Sequence, residues 1–176
     1  MSVCDTLEKN RMAAARDYPG VQIYDDIALV LKDETINAVA LAVPVVAHYT
    51  LAMQCLMAGK NVLVEKPLTI KYSEACELKE LAEANTLVLM VDHTFIYHPA
   101  VCYIKEAITS GVLGNLYYYD STRINLGLFQ SDVNVFWDLA VHDVSILNFF
   151  ITERPSAVSA NGQSHLSGGH ENIGTI

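Results

Sequence analysis

In VFWDLAVHDVSIL, Asp138 and His142 stand four residues apart. On a helix that spacing puts a carboxylate and an imidazole on one face, about one turn apart. The pair suits general-base work, with the imidazole taking a proton near neutral pH and the carboxylate orienting or electrostatically supporting it. Half a metal site and a satisfied core pair fit the same spacing. A second candidate is NVLVEKPLTI, where an apolar strand runs into Glu65-Lys66-Pro67. A strand-end lysine in a turn fixed by proline can present its ammonium to a substrate oxygen whose charge changes during reaction. A solvated ion pair in a loop is the plain alternative.

The elements that must position these residues alternate between two periodicities. Strand patterns fall at Ser2 to Asp5, Val21 to Tyr24, Ile36 to Val43, Asn61 to Val64 and Thr86 to Val91. Helical patterns fall between them, at Thr6 to Asp17, Ile27 to Lys32, Ala47 to Ala58 and Glu74 to Ala84. Asp25 or Asp26 can cap the second helix and Ser73 the fourth, and Gly59 can close the third. Strands and helices in alternation predict an α/β fold with a parallel sheet. Beyond it, Pro99 opens a helix running to about Ser110, LYYYDSTRI (Leu116 to Ile124) has the content of a strand, and Val135 to Ile151 reads as one helix. The polar, glycine-rich stretch from Ser159 fits either a hairpin or a loose tail. A change of character near Gly114 divides the chain into residues 1–113 and 114–176.

In an open parallel sheet, ligands bind beyond the carboxyl ends of the strands. Asp5, Pro44, Glu65-Lys66-Pro67 and Asp92-His93 are so placed. Asp5 can accept hydrogen bonds from an adenosine ribose, or it can cap the helix that follows. His48 and His93 can be strand-top contacts or polar groups at helix starts. His98, His165 and His170 have no partner in the pattern, so a zinc enzyme is not expected.

Twenty acidic residues against eleven basic ones give a net charge of −9, and no basic patch offsets it. A nucleic-acid partner is therefore not expected, although a small anion held by backbone amides is compatible with this charge. Cys4, Cys55, Cys76 and Cys102 form no CxxC pair or finger spacing and read as free thiols. No apolar run reaches the roughly 18 to 20 residues of a membrane span, and no signal-like N-terminus appears; a cytoplasmic protein without a membrane partner is expected.

LAVPVVAHYTLAMQCLMAGKNVLVEKPLTI and WDLAVHDVSILNFF together resemble the glucose-fructose oxidoreductase, inositol dehydrogenase and MocA family of nicotinamide-dependent sugar and polyol oxidoreductases. Pro44 and His48 match its T-x-P-x-x-x-H segment in part, Glu65-Lys66-Pro67 its E-K-P motif, and Asp138, His142 and Asp143 its D-x-x-x-H-D motif. The resemblance implies a Rossmann-type domain followed by part of an α+β substrate domain that often carries a homo-oligomer interface. It implies cofactor contacts at Asp5, Pro44, His48, Glu65 and Lys66, and catalysis by Lys66, Asp138 and His142. It implies substrate contacts at Lys66, Arg123, Asp138 and His142. RINLGLFQSDVNVFWDLAVHD looks most like the branch that uses sugar nucleotides, and the substrate class implied is a sugar, sugar nucleotide or polyol. Asp5 favours NAD over NADP, because a carboxylate repels a ribose phosphate.

The family's opening strand and G-x-G-x-x-G turn are not in this sequence. The expectation is a sheet that is incomplete at its start by about 30 residues, one βα unit, and a substrate domain that is also incomplete. Two functions follow: an oxidoreductase, or a fragment of one, and a noncatalytic Rossmann-derived structural or interaction protein that has lost cofactor binding.

Overall fold

The computed structural model describes residues 1–124, 133–165 and 169–176. Two compact units are present, one of Met1–Val64 with Lys71–Met90, the other of Glu65–Ile70 with Val91–Ile176.

The first unit follows the alternation read in the sequence: β1 (Ser2–Cys4), α1 (Glu8–Asp17), β2 (Gln22–Tyr24), α2 (Ile27–Lys32), β3 (Ala38–Leu41), α3 (His48–Met57), β4 (Asn61–Val64), α4 (Tyr72–Ala84) and β5 (Leu89–Val91). β1 and β2 pair in parallel, with Val3 opposite Ile23. β3 and β4 also pair in parallel, with Leu41 opposite Val64, and the order of their sheet is β3-β4-β5. The strands thus form two sheets rather than one. The apolar run from Ile36 to Val43 yields only a four-residue strand. Its partner β4 stops at Val64, before Glu65-Lys66-Pro67, so beyond Leu41 there is no ladder to join.

Local chemistry explains the helix ends. Asp26 caps α2 by accepting from the Ala28 amide at 2.8 Å. Gly59, at φ +74°, takes the left-handed conformation that ends α3, and the Lys60 amide closes the turn onto Cys55 O at 3.0 Å. Ser73 does not cap α4. The helix begins one residue earlier, at Tyr72, with Lys71 in the extended conformation at its head. α3 buries Ala52, Cys55 and Leu56, the i, i+3, i+4 stripe of an amphipathic helix, while α4 buries Leu78 and Ala82 and the strands contribute Leu41, Val62 and Val64. Leu78 is wholly inaccessible. Leu78→Ala is therefore expected to cost about 2–5 kcal/mol through lost burial and a residual cavity, measured as a lower urea midpoint at unchanged m.

In the second unit, α5 (Pro99–Thr109) starts with proline in its first turn, and His98 Nδ1 accepts from the Ala100 amide at 3.2 Å. The strand expected over Leu116 to Ile124 is not formed. Its aromatic content fits a pleated, half-buried surface, but no described strand pairs with it, and Tyr117, Tyr118 and Ile124 are exposed. The helix expected from Val135 to Ile151 is instead a π-helical turn, Phe136–Ala140, leading into α6 (Val141–Phe150). The glycine-rich end forms an antiparallel hairpin of β6 (Asn161–Gln163) and β7 (Ile173–Thr175). Gly162 and Gly174 face each other in it, and a Cβ at either position would collide with or crowd the Phe136 ring. Residues 125–132 of the stretch likened to the sugar-nucleotide branch, and 166–168 of the polar, glycine-rich stretch, lie outside the described residues.

Candidate active site

The first unit holds three of the residues singled out for a cofactor. Asp5 follows β1, and its carboxylate accepts from the Leu7 amide at 2.7 Å and from Asn10 Nδ2 at 2.8 Å. Those hydrogen bonds, the Leu7 amide foremost, hold its carboxyl below the usual range. Asp5 is not the cap of α1, which begins at Glu8 with Leu7 at its head; its carboxylate instead ties the turn between β1 and the helix. Arg11 covers the same turn, donating to the carbonyls of Asp5 and Thr6 at 2.7 and 2.9 Å. Pro44 starts the 3₁₀ turn Val45–Ala47. His48 is 1% exposed, and its Nε2 lies 2.9 Å from Val43 O, so the imidazole braces the β3-to-α3 connection.

The second unit brings together residues far apart in sequence. The ammonium of Lys66 reaches Asp138 Oδ1 at 2.8 Å and Asp138 O at 2.9 Å. Both side chains are about one-fifth exposed, so water weakens this ion pair only in part. Two of the three ammonium protons are committed, and the third has no partner among the described residues. Glu65 accepts from the Lys66 amide at 3.2 Å, and the Lys66–Pro67 peptide is cis.

His142, on α6, is 8% exposed. Its Nδ1 is buried, with no hydrogen-bond partner among the described residues. Burial first, then the charges of Lys66 and Arg123, push its pKa from 6.5 down to about 4, against the opposing pull of Asp143. The imidazole is therefore neutral near pH 7 and free to accept a proton. Asp138 makes its hydrogen bonds to Lys66 and not to His142, so the i, i+4 pair shares a neighbourhood without sharing a bond.

Arg123 and Asp143 complete the surroundings. Arg123 Nε donates to Asp143 Oδ2 at 2.5 Å, and Ser121 donates to the other carboxylate oxygen at 2.5 Å. The guanidinium lies over the Phe95 ring, 4.8 Å from its centroid, and Phe95 meets the His142 ring edge-on at 4.7 Å. His93 Nδ1 is also buried with no hydrogen-bond partner among the described residues, and burial lowers its pKa. Phe95 and Ser121 drew no attention in the sequence, since an aromatic after a strand and a serine in a polar run carry no spacing signal. Among the described residues no three His, Cys, Asp or Glu side chains group as metal ligands, and no helix is long and apolar enough to cross a membrane. The four cysteines are unpaired, and burial raises the Cys55 thiol to about 11, which leaves it inert.

A strand-end lysine paired with a carboxylate, beside a buried neutral imidazole in an α/β chain, is an arrangement with the chemical means to move a proton at a polarised oxygen. The model of the oxidoreductase family with an NAD-binding Rossmann fold (GFO/IDH/MocA) matches residues 1–93, and the chain belongs to that family. It is 30% identical over 128 residues to the UDP-N-acetylglucosamine 3-dehydrogenase of Acidithiobacillus ferrooxidans, covering 72% of this chain and 40% of that one. Against the NADP(+)-dependent scyllo-inositol 2-dehydrogenase of Bacillus subtilis, identity is 28% over 159 residues, or 83% of this chain and 43% of the other. The crystal structure of an NAD-binding protein from Listeria innocua superimposes with a TM-score of 0.83 at 25% identity, covering 98% of this chain and 51% of that one. The chain spans less than half the length of either of these two curated relatives, 40% of the first and 43% of the second.

Proposed function

We propose that this chain carries catalytic residues of an oxidoreductase that moves a hydride between a nicotinamide cofactor and a hydroxyl-bearing carbon of a sugar, sugar nucleotide or polyol. The observation that carries the reading is the Lys66–Asp138 bridge beside the buried, neutral His142, built from the two motifs that the resemblance identifies as catalytic.

The residue types, taken unit by unit, suit such a cofactor. Asp5 offers an ionised acceptor to ribose hydroxyls, Lys66 keeps an ammonium proton for an oxygen near the reacting carbon, and Pro44, His48 and Glu65 shape the strand-end turns. When bound, the oxidised nicotinamide supplies the hydride acceptor. The chain's own residues handle the rest of the reaction. The third N–H of Lys66 binds the substrate hydroxyl oxygen and favours its negative charge. His142 takes the hydroxyl proton at Nε2, since Nδ1 is sealed in the interior. Loss of that proton and of the hydride turns the carbinol carbon into a carbonyl. In the reverse direction the imidazolium returns the proton as the carbonyl accepts hydride. Asp138 holds the ammonium in place and touches substrate beside it. Arg123, whose terminal N–H groups make no hydrogen bond among the described residues, adds a contact to a charged or hydroxyl-rich substrate.

In this reading residues 1–113 serve the dinucleotide and residues 114–176 the substrate. The exposed Tyr117, Tyr118 and Ile124 support a homo-oligomer, and the protein works in the cytoplasm. Asp5 supports NAD over NADP, while Arg11, in the same turn, is the group that could offset a ribose phosphate. Calorimetric titration of the full chain with each cofactor tests the assignment. NAD is expected to bind at micromolar strength and NADP at least about tenfold more weakly, a difference of about 1.4 kcal/mol. Heat from neither cofactor overturns the cofactor assignment, and tighter NADP binding overturns the choice between them.

A further inference from the structure

A general-base imidazole is ordinarily oriented through the nitrogen that does not react, by a carboxylate or a backbone carbonyl. His142 lacks that device. Its Nδ1 is buried and has no hydrogen-bond partner among the described residues, and Asp138, the carboxylate one turn away, is committed to Lys66. Among the described residues, the ring that meets its imidazole is Phe95, at 4.7 Å with the planes 73° apart.

We propose that Phe95, Arg123 and Asp143 form a positioning clamp for the His142 ring, in which Asp143 tethers Arg123, the guanidinium pins Phe95, and Phe95 holds the imidazole by its edge. This deepens the reading above and rests on His142 as the proton carrier. The clamp is continuous and each joint is directional. Both carboxylate oxygens of Asp143 are occupied, one by Ser121 and one by Arg123 Nε, so the carboxylate cannot turn without breaking a hydrogen bond. Arg123 and Asp143 are 28% and 22% exposed, which shields their pair from much of the solvent. A planar guanidinium 4.8 Å from the ring centroid lies on the π face of Phe95, an arrangement that a lysine ammonium reproduces as charge but not as a flat surface. Phe95 itself sits in the 3₁₀ turn Thr94–Tyr97, a short segment that fixes a ring poorly without a second contact. The clamp supplies that contact. It also leaves Arg123 with its terminal N–H groups available, so holding Phe95 and contacting substrate are compatible in one residue.

Phe95 also keeps water from the imidazole. Among the described residues, the charged and titratable groups around His142 are Lys66 from the segment after β4 with its partner Asp138 one turn away, Arg123 from the extended segment, Asp143 from α6 itself and His93 from just after β5. Arg123→Lys retains the charge balance among these groups and removes the flat surface. Phe95→Leu retains apolar bulk and removes the edge contact. In both variants the imidazole is expected to gain water and freedom, and its titration moves up by about one unit, tenfold in proton affinity.

The test is a histidine-selective NMR titration of the full chain and the two variants, with the resonances of His48 and His98 reporting that the fold is kept. Upward movement of the His142 titration in both variants, with its resonance broadened at neutral pH, sustains the clamp. An unchanged titration in either variant overturns it. The two readings separate cleanly. Movement in both variants with no nicotinamide-linked turnover in any form keeps the clamp and removes the dehydrogenase. Unmoved titrations alongside turnover that depends on His142 do the reverse.

Discussion

Lys66→Ala is expected to lower nicotinamide-linked turnover by about 10²–10³-fold if, as proposed, the ammonium acts on charge that grows as the hydroxyl is deprotonated. The loss is expected in kcat more than in KM, since the contact strengthens in the transition state. Alanine at position 142 removes the proton carrier, and general-base contributions of about 10²–10⁴ set the size of its effect. In the proposed mechanism Lys66 and His142 act on one oxygen and one proton, so the double variant is expected to fall little below the worse single variant. Steady-state rates of the three variants, with circular dichroism to show retained helix and strand content, decide the matter. Unchanged turnover in either single variant removes that residue from the mechanism. Lys66→Ala carries a stability effect as well. It leaves Asp138 partly buried without its partner, and a lowered urea midpoint is expected alongside the lost rate.

The second large effect is a dependence of stability on pH. His142 titrates near 4 in the folded chain against an ordinary 6.5, so between those values the unfolded chain binds the extra proton. Stability contributed by keeping the imidazole neutral is fully present above about pH 6.5 and is lost as the pH falls toward 4. The shift sets a ceiling of about 3 kcal/mol on that contribution. Urea midpoints of the full chain across this window are expected to fall, and those of His142→Gln to fall much less. Asp33, lowered to about 2 first by its hydrogen bond from Thr35, acts below pH 4 and does not blur the window. Equal slopes in the two proteins would show that the imidazole is as easily protonated folded as unfolded.

Much of this architecture is legible in the sequence because it rests on local chemistry. Asp26 caps α2 and Gly59 closes α3 at the residues where capping rules put them. The short β4 is marked by the charged, proline-bearing step that ends it. Elements that depend on distant partners are less legible. Leu116 to Ile124 has a strand's composition, yet a strand exists only through its neighbour, and none is described beside it. Ser73 is a good cap by type, but α4 begins at Tyr72.

The site divides in the same way. The spacing of Asp138 and His142 puts both near one face of a helix, and both do lie beside Lys66. What spacing cannot convey is that Asp138 bonds a lysine 72 residues away in preference to the histidine one turn along. The π-helical turn at Phe136–Ala140 also goes unseen, since one extra residue per turn leaves the apolar pattern almost unaltered. Phe95 was invisible for a different reason. Its importance comes from the guanidinium on its face and the imidazole at its edge, and neither is near it in sequence.

The most direct measurement follows the hydride itself. The full chain is incubated with NAD and a panel of sugars, sugar nucleotides and inositols carrying deuterium on their carbinol carbons, and the reduced nicotinamide is weighed by mass spectrometry. The predicted result is reduced cofactor one deuterium heavier with at least one member of the panel, and its loss in Lys66→Ala and His142→Ala. Reduced cofactor that never carries deuterium, or its equal formation by both variants, contradicts hydride transfer at this site.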